Sequence, residues 1–259
     1  MIQRRAMIEG AQFAAEMGDT GAASMYESQA DNGGVDKLAN IDSQVFLAAL
    51  HASLGNRFYT VDSDQMLAPV VANINAFKPL YLINAGTEAT VNSAIMPIAV
   101  ALSRYPEDTC NGYNSGQQGN PWSLITSSMV DYHYRLIETW SAAGKVTVTK
   151  ATRTSFNQMN ELCGIAFTNA YEAGATDTSD PDTFGEFLAN TILSGDRYMA
   201  RVAHHTDASG SMTEQWLRGE GTPTDAPNLF WSFEAHNSAA TSLCSCIADC
   251  VWKLSLLIN

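Results

Sequence analysis

The sequence predicts an all-α protein assembled from antiparallel helical hairpins. Apolar side chains recur at helical spacing over five long stretches, and helices begin at intervals of about 30 residues with no readable repeat. The one strand-like stretch, residues 145–149, is short. Stacked hairpins of this kind form either a solenoid or an α/α toroid, and periodicity leaves both open.

The first helix is predicted over residues 2–17, with Met7, Ile8, Ala11, Ala14 and Ala15 on one stripe. The second covers 64–77, with Leu67, Val70, Val71, Ile74 and Phe77. The third covers 121–143, striped by Trp122, Ile125, Met129, Tyr132, Leu136 and Trp140. Pro121 suits its first turn, where a missing N–H costs nothing, and Gly144 is its stop. Two more helices are predicted over 153–173 and 182–204. Two long polar loops, 104–120 and 206–228, separate regular helices, and such loops tend to carry function.

Composition narrows the class. Of 259 residues, 46% are hydrophobic and 16% charged, which suits a globular protein. The formal net charge of −13 repels nucleic acid and anionic membrane, so neither is an expected partner. No apolar run reaches the ~18 residues needed to span a bilayer. The basic start Met1-Ile2-Gln3-Arg4-Arg5 is interrupted by Glu9 before an apolar core forms, so no secretory signal is expected in it. The five cysteines, Cys110, Cys163, Cys244, Cys246 and Cys250, are odd in number. Cys244, Cys246 and Cys250 lack a nearby histidine and paired CxxC knuckles, so no metal is expected there. His204-His205, at a helix end where cations suit the dipole, reads as structural.

The loops carry a family resemblance. Arg104-Tyr105-Pro106-Glu107-Asp108 leads to Asn120-Pro121-Trp122. Next comes Gly210-Ser211-Met212-Thr213-Glu214-Gln215, then Gly221-Thr222-Pro223-Thr224-Asp225-Ala226-Pro227-Asn228-Leu229-Phe230-Trp231-Ser232. Gln3-Arg4-Arg5-Ala6-Met7-Ile8-Glu9-Gly10 precedes them, with Leu38-Ala39-Asn40-Ile41-Asp42-Ser43 and Val146-Thr147-Val148-Thr149 as lesser matches. In this order the segments resemble the C-terminal half of the catalytic domain of fungal glucoamylases, glycoside hydrolase family 15. Each is weak alone, and the ordered set spans residues 3–232.

The resemblance implies a partial (α/α)6 toroid of antiparallel hairpins. It implies an inverting exo-hydrolase that releases glucose from non-reducing ends of α-1,4-glucans, with starch and maltooligosaccharides as partners. No cofactor and no metal are implied, and the family is typically secreted and monomeric. The catalytic base falls on Glu214. The substrate-binding set is Arg104, Tyr105, Asp108, Trp122 and Trp231. Chemically, an arginine fork beside a carboxylate can grip adjacent sugar hydroxyls, and indole faces stack on sugar C–H groups. Read without the resemblance, Arg104 and Asp108 are equally a local ion pair, the two tryptophans core packing, and Glu214 a solvated loop acid.

Departures from the family pattern set further expectations. The family's catalytic acid lies in a Trp-Glu-Glu segment just ahead of the helix matched by residues 3–10, and nothing in this sequence matches it. The family's water-holding tyrosine and glucose-gripping Arg-Asp pair are unmatched as well. Residues 24–34 hold none of the usual disulfide cysteines, and Cys110 stands where a tyrosine is common. The pattern fades after Ser232. The expected division is therefore residues 1–243 as a glucoamylase-type half-domain and 244–259 as an unmatched Cys-rich tail. Without the acid, the chain by itself is expected to be inactive. The alternatives are a catalytically dead carbohydrate-binding protein and a non-functional gene fragment.

Overall fold

The computed structural model describes residues 2–31, 41–52, 60–91, 93–114, 116–163, 176–177 and 181–257. They group into two compact units, residues 1–40 and 41–259.

The first unit is a helical hairpin of α1 (Ile2–Glu16) and α2 (Thr20–Asp31). Ala11, Ala14 and Ala23 are buried in it, and the Tyr26 ring lies beside Gly10. Asp19 caps α2 by accepting the Ala22 N–H at 2.9 Å, satisfying one of the donors a helix start leaves free.

The second unit holds α3 (Gln44–Ala52), α4 (Asp64–Phe77), α5 (Ser123–Ala143), α6 (Lys150–Cys163), α7 (Pro181–His205) and α8 (Phe230–Leu257). Three two-stranded antiparallel ladders join them: β1 (Glu88–Val91) with β2 (Ala94–Pro97), β3 (Thr147–Val148) with β4 (Thr176–Asp177), and β5 (Gln215–Trp216) with β6 (Pro223–Thr224). Among the described residues no helix is long and apolar enough to cross a membrane.

The centre of this unit is α5, which packs against both α7 and α8 and is buried on nearly every side. Its start follows the sequence closely: Trp122 is the extended cap residue after Pro121, and Gly144 closes the helix by donating to the Trp140 carbonyl at 2.8 Å. The predicted stripe is buried at Ile125, Met129, Tyr132, Leu136 and Trp140. The aromatic core continues from Trp140 onto Phe156 and from Phe156 onto Phe187, with ring centroids 5.3 and 4.1 Å apart. His133 lies inside as well, and burial pushes its imidazole down to about 4, so it is neutral.

Several elements differ from expectation, each for a physical reason. α6 begins three residues early because Thr149 caps it, its hydroxyl accepting the Thr152 N–H at 3.1 Å. The expected continuation to residue 173 lies outside the described residues beyond 163. The helix α8 was not predicted. The face it turns to α5 is lined by small and hydroxylic residues, Ser232, Ala235, Ala239 and Ser242, so no large apolar stripe marks it. Its seam is polar: Ser238 and Ser242 both donate to the buried Asp131 carboxylate, at 2.8 and 2.6 Å. The β1–β2 hairpin also escaped prediction, since all four residues of β2 are exposed and leave no alternation to read.

A buried segment, residues 98–103, runs beside these helices without belonging to any helix or ladder. Its backbone groups are satisfied partly by other backbone, with the Ile98 and Ala99 N–H donating to the Thr87 and Arg197 carbonyls at 2.9 and 3.0 Å, and partly by side chains. Asn84 donates to the Ala101 carbonyl at 3.0 Å and accepts the Ala101 N–H at 2.8 Å. Arg201 donates to the Ala99 carbonyl at 2.7 Å, and Thr126 accepts the Leu102 N–H at 3.1 Å. Burial pushes the Arg201 guanidinium down to about 10, still cationic at neutral pH. The segment ends at Arg104, whose carbonyl accepts the Ser43 N–H at 2.8 Å.

Replacing Asn84 with alanine should strand a buried donor and acceptor on Ala101, each costing about 1–3 kcal/mol. The urea midpoint of Asn84→Ala should fall with an unchanged slope. An unchanged midpoint would mean that solvent reaches the segment.

Candidate active site

The two long loops meet at the N-terminal end of α5. Trp122 N–H donates to the Leu102 carbonyl at 2.8 Å, Ser123 N–H to the Glu214 carbonyl at 3.0 Å, and Trp216 N–H to the Pro121 carbonyl at 3.0 Å. The start of one helix therefore registers the chain on both sides of it, the segment leading to Arg104 and the segment carrying Glu214.

Arg104 is held in a fixed pose. Its Nε and Nη2 donate to the two carboxylate oxygens of Asp108 at 2.8 and 2.7 Å, a bidentate pair. Its guanidinium lies 4.6 Å from the Trp122 ring centre and 5.5 Å from that of Tyr105. Burial opposes its charge, but the Asp108 carboxylate more than offsets this and holds Arg104 above its ordinary range. Asp108 is buried and also accepts the Cys110 N–H at 3.0 Å.

Glu214 sits one residue before β5, half-buried. Its carboxyl is pushed up to about 7 by burial first, then by a hydrogen bond and like charge from Asp225, with Arg104 pulling the other way. A carboxyl displaced this far is the mark of a group suited to proton transfer near neutrality. Trp231 is 43% exposed, and its ring centre stands 5.9 Å from that of the buried Trp122.

All six residues singled out in the sequence fall in this loop cluster. Arg104, Tyr105, Asp108 and Trp122 make one connected group, Trp231 abuts it through Trp122, and Glu214 reaches it electrostatically through Arg104. Arg104 and Asp108 do form the local ion pair that the plain reading of the residues anticipates. That pairing leaves the outer guanidinium edge as the part able to meet a ligand.

Two residues of the cluster were passed over in the sequence. Asp225 lies in a quoted motif at a position without an obvious role, and only the β5–β6 pairing reveals that it faces Glu214. Tyr113, exposed in the first loop, accepts the Asp225 N–H on its hydroxyl at 3.1 Å. Trp122 Nε1 and both side-chain polar atoms of Gln215 are buried beside the site with no partner among the described residues.

The histidine pair is structural but not in the expected way. His205 is buried against the Trp216 ring, 4.4 Å between centres, and its Nδ1 donates to the Gly221 carbonyl at 2.8 Å. Burial, helped by Arg201 and His204, pushes it down to about 3, so it is a neutral packing group and not a cation for the helix dipole. Among the described residues no group of three or more His, Cys, Asp or Glu side chains is placed to hold a metal ion.

The fold and site together define an all-α protein with a carboxyl, an arginine–aspartate fork and a tryptophan pair gathered on loops at a helix start. The sequence model for glycosyl hydrolases family 15 matches residues 1–236, and the chain belongs to that family. It is 31% identical over 255 residues to glucoamylase 1 of Rhizopus oryzae, covering 90% of this chain and 39% of that protein. A glucoamylase of Blastobotrys adeninivorans is 27% identical, with 93% and 40% covered. The chain thus spans about two fifths of the length of these relatives. Among solved structures, a glucoamylase from Saccharomycopsis fibuligera superposes with a TM-score of 0.66 at 23% identity, over 95% of this chain and 55% of that one. A glycoside hydrolase family 15 glucoamylase from Hypocrea jecorina gives 0.64 at 26%, over 94% and 41%. The fold is accordingly part of an (α/α)6 toroid.

Gly221 anchors the loop that carries Glu214 and Asp225. It has φ +75°, and a Cβ there would lie 2.3 Å from His205 Cε1. Gly221→Ala combines left-handed backbone strain with a clash, together about 2 kcal/mol or more. A thermal melt should drop by roughly 4–8 °C. A melt within one degree of the parent would show that His205 yields freely.

Proposed function

We propose that the chain supplies the general-base half of a glucoamylase-type site, an inverting exo-hydrolase acting on α-1,4-glucans such as starch and maltooligosaccharides. The observation that carries this is the meeting of Glu214 with Arg104, more than a hundred residues apart in sequence, in one loop cluster with an exposed indole. Membership of the family, together with likeness to the glucoamylases of Rhizopus oryzae and Blastobotrys adeninivorans, supports the substrate class.

In this reading Glu214, ionised, takes a proton from a water molecule as that water bonds to the anomeric carbon. The bond from that carbon to the glycosidic oxygen breaks, and a carboxylic acid on the opposite face protonates the departing oxygen. An inverting pair stands roughly 6.5–9.5 Å apart so that the water fits between. Asp225 is not that acid, because it hydrogen-bonds Glu214 directly and leaves no such space. In the family pattern that acid belongs to a Trp-Glu-Glu segment. Arg104, oriented by Asp108, grips sugar hydroxyls, with Tyr105 alongside, and Trp231 with Trp122 offers a stacking face. The reading also carries secretion as a monomer, for which the net charge of −13 favours solubility.

A chimaera tests the assignment. Residues 1–236 would replace the matching segment of the Rhizopus oryzae glucoamylase. It should release glucose from maltose, and Glu214→Gln in it should lower kcat by about 10²–10⁴-fold. A folded chimaera in which Glu214→Gln costs less than tenfold would remove Glu214 from the base role. Binding of maltooligosaccharides without hydrolysis would favour the sugar-binding alternative.

A further inference from the structure

One buried charge in this fold has no counter-charge. Arg201 is 2% exposed, yet among the described residues no carboxylate pairs with it. The buried carboxylates are matched, Asp108 by Arg104 and Asp131 by Arg135. The partners of Arg201 are backbone carbonyls. Its Nε donates to Ala99 at 2.7 Å, one Nη to Ile83 at 3.2 Å, and the other to Gly86 at 3.5 Å, which is long for such a bond. A guanidinium carries five N–H groups, so part of its donor edge is left without an acceptor.

Beside this charge is a cavity of about 90 Å³, away from the loop cluster. Ala99 and Gly86 line it together with Arg201, which puts the charged end of the side chain at its wall. Ile74 of α4, with Ile98 and Val100 of the buried segment, gives it apolar sides. Lys78 and Glu161, both exposed, stand 3.8 Å apart on its rim, so the acid nearest the opening already faces a cation. Burial is the main influence on Arg201 and lowers it to about 10, so the group stays cationic at neutral pH.

We propose that this cavity binds a short aliphatic carboxylate, with the oxygens on the free N–H edge of Arg201 and the alkyl end against Ile74, Ile98 and Val100. A cation taken out of water without a counter-ion is costly, and an anion that reaches it relieves the cost. The planar fork of a guanidinium matches the two oxygens of a carboxylate, and the apolar sides suit a methyl or ethyl group. The space holds several water molecules, enough for an anion the size of acetate. It is far below the ~300–1,000 Å³ of pockets that enclose drug-sized ligands, so a glucan is not its occupant. The inference is independent of the role given to Glu214. Its structural effect falls on Ala99, because an anion that steadies Arg201 also steadies the segment leading to Arg104.

Acetate is the probe, and thermal melts of the full chain are the readout. Sodium acetate would be titrated against sodium chloride at constant ionic strength and pH 7. The midpoint should rise saturably with acetate, by roughly 3–6 °C at tenfold excess over its dissociation constant. Thr87 is exposed and lines the cavity, so Thr87→Phe should plug the opening while leaving every Arg201 hydrogen bond in place. The acetate response should vanish in it. Arg201→Gln removes the charge and should abolish the response as well. If that variant does not fold, Thr87→Phe decides alone.

A shift no greater than that of chloride, one that fails to saturate, or one that survives in Thr87→Phe overturns the proposal. A saturable response to sulfate or phosphate but not to acetate overturns the assignment of the ligand as a carboxylate.

Discussion

The geometry of the loop cluster depends on a stretch of backbone that has no partner strand. Residues 98–103 are buried and lie outside any helix or ladder, a combination that would leave polar groups stranded in the interior. The amide of Asn84 acts as a one-residue substitute for a neighbouring strand, giving and taking one hydrogen bond at Ala101, and it donates a third to the Phe77 carbonyl at 2.9 Å. Arg201 reaches in from α7 to the Ala99 carbonyl, tolerating burial because its guanidinium is aimed at backbone acceptors. These brackets fix where the segment ends, and it ends at Arg104. Moving the segment by even a fraction of a residue would carry Arg104 away from Trp122.

The same segment ties the loop cluster to the core. The Leu102 carbonyl on it accepts from the Trp122 N–H, and the next N–H, of Ser123, donates to the Glu214 carbonyl. Helix start, buried segment and the Glu214 loop are therefore one hydrogen-bonded junction. The stability of the helical core is transmitted to the loops through it, which is how irregular backbone can hold side chains in one pose.

How much of this the sequence discloses depends on which force placed each part. Long helices with a stripe of large apolar side chains were legible, α5 most of all, since Trp122 to Trp140 spell out one stripe, whereas α3, which buries Phe46 and Leu50 on only 9 residues, was not expected. α8 was not, because it binds α5 through Ser238 and Ser242 onto Asp131, and hydroxyl groups carry no periodic hydrophobic signal. The site residues with a motif were legible as a list. Their meeting was not a matter of pattern, because it depends on three backbone hydrogen bonds at the α5 start. Asp225 shows the limit most clearly. Its chemistry comes from a two-residue ladder and from the missing side chain at Gly112, and neither has a signature beyond a proline and some glycines in a polar loop.

Arg104 bears on thermodynamics as well as recognition. A long cationic side chain normally samples many rotamers in water and loses that freedom when it clasps a ligand. Here both carboxylate oxygens of Asp108 and the rings of Trp122 and Tyr105 have already frozen it. The ordering penalty, about 0.5–1.5 kcal/mol for such a side chain, falls on folding and is absent when a ligand arrives. Association at this guanidinium should therefore carry a smaller entropic loss than a free arginine would show, and the same rigidity makes it intolerant of ligands that need it half an ångström elsewhere.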